Sequence, residues 1–339
     1  ACPADDRLPQ DTRSPLSMSK WVEEELEPGL RVSYGLKEVL ASTKSKWQHV
    51  DLVDLQPFGR VLMIDGLVQS CQSDEFVYHE SLVHPAMLMH PNPKTVYIGG
   101  GGEGSTAREV LRHKSVEKCM MVDIDGDVVD FCRKFLPENT AAFADPRLEL
   151  IIDDAKAVLE NASGFDVIIM DLDDPLEGGP CYQLYSMEFY TMLKAKLNPG
   201  GIFVTQSGAA GIKMMEAVFT PVHSTVRHVF PAARAYNQAV YSFMDEWGWN
   251  LGFTDAAASK LLTPEEVDAR IAERIVGELK FLDGEAYTGL MSLTKRHRQK
   301  LSAETRILST EKGTFAAMHN QGLCVAPDAG PGHNQTTKQ

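Results

Sequence analysis

Between the apolar run Thr95-Val-Tyr-Ile98 and a helical pattern opening at Ser105, the chain carries Gly99-Gly-Gly-Gly102-Glu103-Gly104. Glycine weakens the interior of a helix or strand and suits places where the backbone turns sharply or approaches another group closely. A strand, a glycine turn and a helix in that order make one βα unit, and the helix start it creates offers unpaired N–H groups to a ligand. The register Gly99-x-Gly101-x-x-Gly104 fits a dinucleotide fingerprint, a pattern that a ligand-free turn also satisfies.

The unit repeats along the chain. Lys118-Cys-Met-Met-Val122, Leu148-Glu-Leu-Ile-Ile152, Asp166-Val-Ile-Ile-Met170 and Gly201-Ile-Phe-Val-Thr205 read as further buried strands, with helices predicted over 105–113 and 127–136. Such alternation implies an α/β fold with a Rossmann-like, mostly parallel sheet and helices on both faces. Upstream the pattern is different. Gln48-His-Val-Asp-Leu-Val-Asp-Leu55 alternates with period two, Pro57-Phe-Gly59 turns it into Arg60-Val-Leu-Met-Ile64, and Asp65-Gly66 turns that into Leu67-Val-Gln-Ser70. This predicts a small antiparallel β-domain before the α/β domain. Residues 76–89 read as a helix. Thr263-Pro264-Glu265-Glu266 caps the start of another, predicted to run to about Leu282. The expected organisation is a disordered tail over 1–18, a β-domain over 19–80, the α/β domain over 81–285, an extension over 286–325 and a second tail over 326–339.

The formal net charge is −14, which disfavours nucleic acid and anionic membrane as partners and favours cations. No apolar run approaches the roughly 20 residues that span a bilayer. The first residues lack the apolar core of a secretory signal. Six scattered cysteines without a Cys-x-x-Cys pair suggest neither a disulfide framework nor a zinc site. A reducing, cytoplasmic setting is therefore expected, with no bound metal.

Charge at the glycine loop narrows the ligand. Glu103 would repel a pyrophosphate, and equally the amino-acid carboxylate of S-adenosylmethionine. Decarboxylated S-adenosylmethionine, with an ammonium and no carboxylate, would be welcome there. Asp123, 24 residues after Gly99 at the end of the second strand, suits the ribose hydroxyls of a nucleoside. Asp154 could accept from an adenine amino group or simply cap a helix. At the carboxyl end of the fourth strand, Asp171-Leu-Asp173-Asp174-Pro175 gathers acids where open α/β sheets bind ligands. An amine is protonated in water at a pKa of about 10.4 and must lose that proton before it can attack carbon. Asp171 is the candidate base, and Asp174 the candidate holder of the incoming cation. Asp173 reads as part of a loop.

Together these residues resemble the spermidine/spermine synthase family. The resemblance rests on Asp65-Gly-Leu-Val-Gln69, Asp74-Glu-Phe-Val-Tyr-His-Glu80, the glycine loop and Asp171-Leu-Asp-Asp-Pro175. It is close over 48–211 and looser to about residue 282. Glu177-Gly-Gly-Pro-Cys-Tyr-Gln-Leu-Tyr185 and Trp247-Gly-Trp249 make the chain most similar to the plant members that form thermospermine. The resemblance implies transfer of an aminopropyl group from decarboxylated S-adenosylmethionine, as co-substrate, to spermidine, with 5′-methylthioadenosine released. It implies that Gln48, Gly101, Glu103, Asp123, Asp154, Ala155 and Pro180 contact the donor. Gln69, Tyr78 and His79 would line the polyamine cleft with Glu103, Asp171 and Asp174. A homo-oligomer, dimer or tetramer, is expected. The wider family has Asp where Glu103 stands, Glu where Asp123 stands, and commonly Tyr where Phe243 stands. These departures speak against putrescine as acceptor and fit a longer polyamine. A spermine or spermidine synthase is the nearest rival reading; a small-molecule methyltransferase and a polyamine-binding protein without turnover are remoter ones.

Overall fold

The computed structural model describes residues 20–27, 29–175 and 181–314. Both expected tails and Pro180 lie outside them. Five antiparallel strands come first and pair in chain order: β1 (Lys20–Glu27), β2 (Leu30–Lys44), β3 (His49–Leu55), β4 (Gly59–Ile64) and β5 (Leu67–Cys71). Asp65 and Gly66 both take positive φ, 49° and 82°, the two-residue turn that matches the twist of a hairpin. The sheet buries part of each face, while much of β2 stays exposed. Tyr34, Val53, Leu55, Phe58, Val61 and Met63 form a core of their own. From the other face, Val50, Leu52 and Leu62 pack on Val128, Phe131 and Cys132 of the larger domain.

Helix α1 (Glu75–Met89) follows and is buried from Tyr78 to its end, Pro85 included. A domain boundary at 80/81 would cut this helix in two. The larger domain then alternates: β6 (Thr95–Gly100), α2 (Ser105–Leu111), β7 (Lys118–Asp123), α3 (Gly126–Phe135), α4 (Thr140–Phe143), β8 (Leu148–Ile152), α5 (Ala155–Glu160) and β9 (Phe165–Asp171). After residue 181 come α6 (Met187–Lys194), β10 (Leu197–Ala209), α7 (Phe219–Val229), β11 (Ala232–Val240) and β12 (Asp245–Phe253). The seven strands run β11-β12-β10-β9-β6-β7-β8. β8, β7, β6, β9 and β10 are parallel, while β12 and β11 add an antiparallel edge. The chain leaves β6 to one side for β7 and β8 and returns on the other for β9. Loops after β6 and β9 therefore diverge, and a crevice opens between their carboxyl ends.

The last helices are α8 (Pro264–Arg274), α9 (Gly284–Leu290) and α10 (Lys295–Ala303). The helix expected to reach about Leu282 stops at Arg274. Ile275 instead pairs with His113, the Val276 N–H donates to the Arg112 carbonyl, and Gly277 takes φ +79°. Glu80 of α1 fixes the segment beyond. Its carboxylate is 1% exposed and accepts from the N–H groups of Lys280, Phe281 and Leu282 at 2.8–2.9 Å. No helix among the described residues is long and apolar enough to cross a membrane.

Candidate functional site

The crevice between β6 and β9 is lined by carboxylates that the glycine loop is folded around. Gly100 stands opposite Asp171 in the sheet, and the Gly101 N–H donates to the Asp171 carbonyl at 3.1 Å. Gly101 has φ +76°, and a Cβ there would come within 3.3 Å of Asp171 Oδ2. The Gly102 N–H donates to Asp123 Oδ2 at 2.8 Å, where a Cβ would stand only 2.7 Å away. Asp123 Oδ1 accepts from the Asp125 N–H at 2.8 Å. Desolvation pushes the Asp123 carboxyl above its ordinary range, against these two N–H donors.

Asp171 ends β9 and accepts two hydroxyl hydrogen bonds, from Tyr78 to Oδ1 at 2.7 Å and from Thr106 to Oδ2 at 2.5 Å. Helix α1 supplies Tyr78, whose ring is wedged against Phe243 and Trp249, centroids 5.7 Å away in each case. Helix α2, opened by the glycine loop, supplies Thr106. The base expected from position is thus clamped by a helix from each side.

Beside it lies a charged group around Glu103. Glu103 Oε1 accepts from the hydroxyls of Ser70 on β5, at 3.0 Å, and of Ser105. Desolvation raises its carboxyl, opposed by the nearby charge of His79. His79 Nδ1 donates to the Glu75 carbonyl and Oε2, both at 2.8 Å. Burial opposes the imidazolium, but the Glu75 hydrogen bond and the charges of Glu103, Glu75 and Asp171 prevail and lift His79 to about 9. Burial would also raise Glu75, yet His79 and Arg108, the latter at 2.7 Å, hold it down to about 2. Ligand atoms of Glu75, His79 and Glu103 lie within 4.8 Å of one another, the one such metal-sized group among the described residues. A cation placed there would have to displace the Arg108 and His79 pairing.

Past the end of β9, Asp174 accepts from Gln206 Nε2 at 3.2 Å, and desolvation lifts it to about 6. Asp173 opens to solvent, but desolvation by the atoms around it, with the charges of Asp123, Asp174 and Asp171, pushes it up to about 7. Tyr185 donates to the Asp173 carbonyl at 3.1 Å.

Most of the expected residues converge here: Gly101, Glu103, Asp123, Tyr78, His79, Asp171 and Asp174. Gln69 is the extra residue of a β-bulge, since Ser70 pairs with Leu62 and Val68 with Met63. Bulges re-aim side chains at the rims of sites. Gln48 donates through Nε2 to Asp125 at 3.1 Å, beside Ser45, tying the small sheet to the cap of α3, next to Asp123. Asp154 caps α5 by accepting from Lys156 and Ala157, and buried Ala155 gives its carbonyl to Tyr97. Thr106, Ser70, Glu75, Tyr185, Gln206 and Trp247 belong to the site and were not expected. Of these, Gln206 could have been found, because it sits near the carboxyl end of β10 on the same sheet edge as Asp171.

The chain is similar to known proteins in sequence and in fold. A family model described as Spermine/spermidine synthase domain matches residues 75–260, and one described as Spermidine synthase tetramerisation domain matches residues 20–71. Thermospermine synthase ACAULIS5 of Arabidopsis thaliana is 48% identical over 305 residues, covering 89% of this chain and 88% of that one. A polyamine aminopropyltransferase of Aeropyrum pernix is 40% identical over 299 residues, covering 87% and 95%. A crystal structure of spermidine synthase in complex with the transition state analogue AdoDATO superposes with a TM-score of 0.77 at 29% identity, covering 86% of this chain and 97% of that one. Spermidine synthase from Thermotoga maritima gives 0.76 at 29% identity, covering 88% and 100%.

Proposed function

The chain belongs to the spermine/spermidine synthase family and is a polyamine aminopropyltransferase, and we propose that it converts spermidine to thermospermine with decarboxylated S-adenosylmethionine as donor. The observation that carries this reading is the clamp on Asp171. A carboxylate fixed by two hydroxyls stands against a glycine loop, with further acids at Glu103, Asp123 and Asp174 around the same crevice.

In this reading the donor lies over the glycine loop. Asp123 receives the ribose hydroxyls, and Glu103 faces the ammonium of the aminopropyl arm. Asp154 and Ala155 border the base, with Gln48 supporting that wall through Asp125. The acceptor threads past Gln69, Tyr78, His79 and Asp174, with one of its nitrogens against Asp171. Asp171 takes the proton from that nitrogen. The freed lone pair forms the new C–N bond at the methylene attached to the sulfonium, as the C–S bond breaks and its electron pair stays on sulfur. The products are a tetraamine and neutral 5′-methylthioadenosine. Sulfur leaves as a neutral thioether, so no general acid is required. The Glu103 carboxylate would repel the carboxylate of ordinary S-adenosylmethionine, which weighs against a methyltransferase.

Spermidine rather than putrescine is supported by Phe243, which presents no hydroxyl to a short diamine, and by the similarity to ACAULIS5 over most of both chains. A cytoplasmic homo-oligomer belongs to the same reading. It is supported by thiols left free at Cys71, Cys119 and Cys132, and by exposed Leu30, Val39 and Leu40 on the sheet that matches the tetramerisation model. Incubation with decarboxylated S-adenosylmethionine and each of putrescine and spermidine, followed by chromatography that separates thermospermine from spermine, tests the proposal. Thermospermine as main product and a multiple of one chain mass by light scattering are expected. Spermine as main product, or a higher kcat/KM for putrescine, would refute the assignment of product.

A further inference from the structure

Trp247 has no part in the chemistry just described, yet it touches Gln206 and Phe243, which lead on to Asp174 and, through Tyr78, to Asp171. Its indole Nε1 donates to Gln206 Oε1 at 3.1 Å, and the Gly208 N–H donates to the same oxygen at 2.8 Å. Both groups can only donate, so the oxygen of the Gln206 amide must face them. The amide nitrogen is thereby turned the other way. It donates towards the Leu172 carbonyl, the Tyr185 hydroxyl at 2.8 Å and Asp174 Oδ1 at 3.2 Å. Gly208 takes φ +69° where β10 bulges, and a Cβ there would stand 3.0 Å from Asp174 Oδ1. On its other side the Trp247 ring packs edge-on against Phe243 at 4.7 Å. Phe243 packs on Tyr78, and Tyr78 donates to Asp171.

We propose that Trp247 is a positioning residue for the acceptor: by locking the Gln206 amide it holds Asp174 at a set distance from Asp171, and so selects the polyamine nitrogen that reaches the base. The inference rests on the aminopropyltransferase reading with a polyamine acceptor. Its alternative is that Trp247 only fills space. The two differ in their electrostatic consequence. Asp174 is faced by Asp173 on its own loop, by Cys181 and Tyr185 beyond that loop, by Tyr78 of α1 and by Gln206 of β10. Gln206 is the group that lowers its pKa, against desolvation that lifts it to about 6. Removing the Trp247 donor leaves the Gly208 N–H alone to orient the amide and loosens its contact with Asp174, so Asp174 stays protonated to a higher pH and loses its hold on a cation.

Trp247→Phe keeps a ring against Phe243 and deletes only the N–H donor. Steady-state rates with spermidine across pH should show KM raised about fivefold, the worth of one hydrogen bond. The acid limb of kcat/KM should move to higher pH, while affinity for 5′-methylthioadenosine is kept. In an Asp174→Asn background the same substitution should leave KM unchanged, because it acts through that carboxylate. An unmoved KM and acid limb overturns the inference. So does an equal KM effect in the Asp174→Asn background, or a parallel loss of methylthioadenosine binding. A parent chain without turnover overturns the reading of function and this inference with it; an active parent with an unmoved variant overturns the inference alone.

Discussion

A carboxylate can strip a proton from an amine only if a free lone pair points at it and the side chain does not swing away. Asp171 meets the second condition through Tyr78 and Thr106, one on each oxygen. Asn fills the same volume and can keep those contacts by turning the hydroxyls, but it cannot take the proton. Asp171→Asn should therefore cut kcat by roughly 10²–10⁴-fold, the usual worth of a general base, with methylthioadenosine affinity nearly unchanged. Single-turnover assays and calorimetry check this pair of outcomes, and unchanged turnover would remove Asp171 from the role of base. At this scale the sequence was readable wherever charge met a strand end. Asp171, Asp174, Asp123 and Glu103 stand out because ionised groups at that edge have few other uses. Thr106 and Tyr185 are uncharged, and nothing local distinguishes them from ordinary hydrogen-bonding residues; Gln206 is uncharged too, and only its place near a strand end singles it out. Gln48 was named only through the family resemblance, and its grip on Asp125 arises from docking of the small sheet on the larger domain, which a linear pattern does not contain.

Three successive residues of α1 serve three different partners. Tyr78 reaches Asp171, His79 reaches Glu75, and Glu80 turns away from the crevice to hold the segment after α8. A carboxylate accepting three backbone N–H groups while 1% exposed leaves those donors unsatisfied if it is lost. Glu80→Gln keeps one accepting oxygen and should cost about 2–4 kcal/mol, the range for a broken buried network with a charged acceptor. Chemical denaturation should show a lower midpoint, and an unchanged midpoint would mean that solvent already satisfies the 280–282 segment. Elements with an apolar run or a distinctive turn were readable: the five parallel strands, the Asp65-Gly66 hairpin and α1, which is buried on every face from Tyr78 to its end. The antiparallel pair was not. β11 is largely small and polar residues and β12 carries Gly248 and Gly252, so neither shows an apolar run or clean alternation, and their pairing with β10 is set by tertiary contact. α8 was overextended for a related reason. Residues 275–282 are compatible with a helix locally, and only the bridge to His113 and the Glu80 clamp draw them out of it.

Taken as a whole, the molecule carries a formal net charge of −14 and concentrates acids in the one crevice where a cationic donor and a polyamine must meet. A field of that sign and focus draws cations in and raises their encounter rate, without altering the step in which C–N forms. Salt shortens its reach: the Debye length falls from about 30 Å at 0.01 M to about 8 Å at 0.15 M. The acids in contact with bound substrate are screened far less, because they are partly desolvated. Raising ionic strength across that range should therefore lower kcat/KM for spermidine several-fold and leave kcat within about twofold. Binding of uncharged 5′-methylthioadenosine should be nearly flat over the same titration. If kcat falls in step with kcat/KM, salt is disturbing the reacting geometry and the long-range field has no separate role. A flat response of both would mean that local carboxylates alone capture the polyamine and that the excess acidity elsewhere on the surface serves another end.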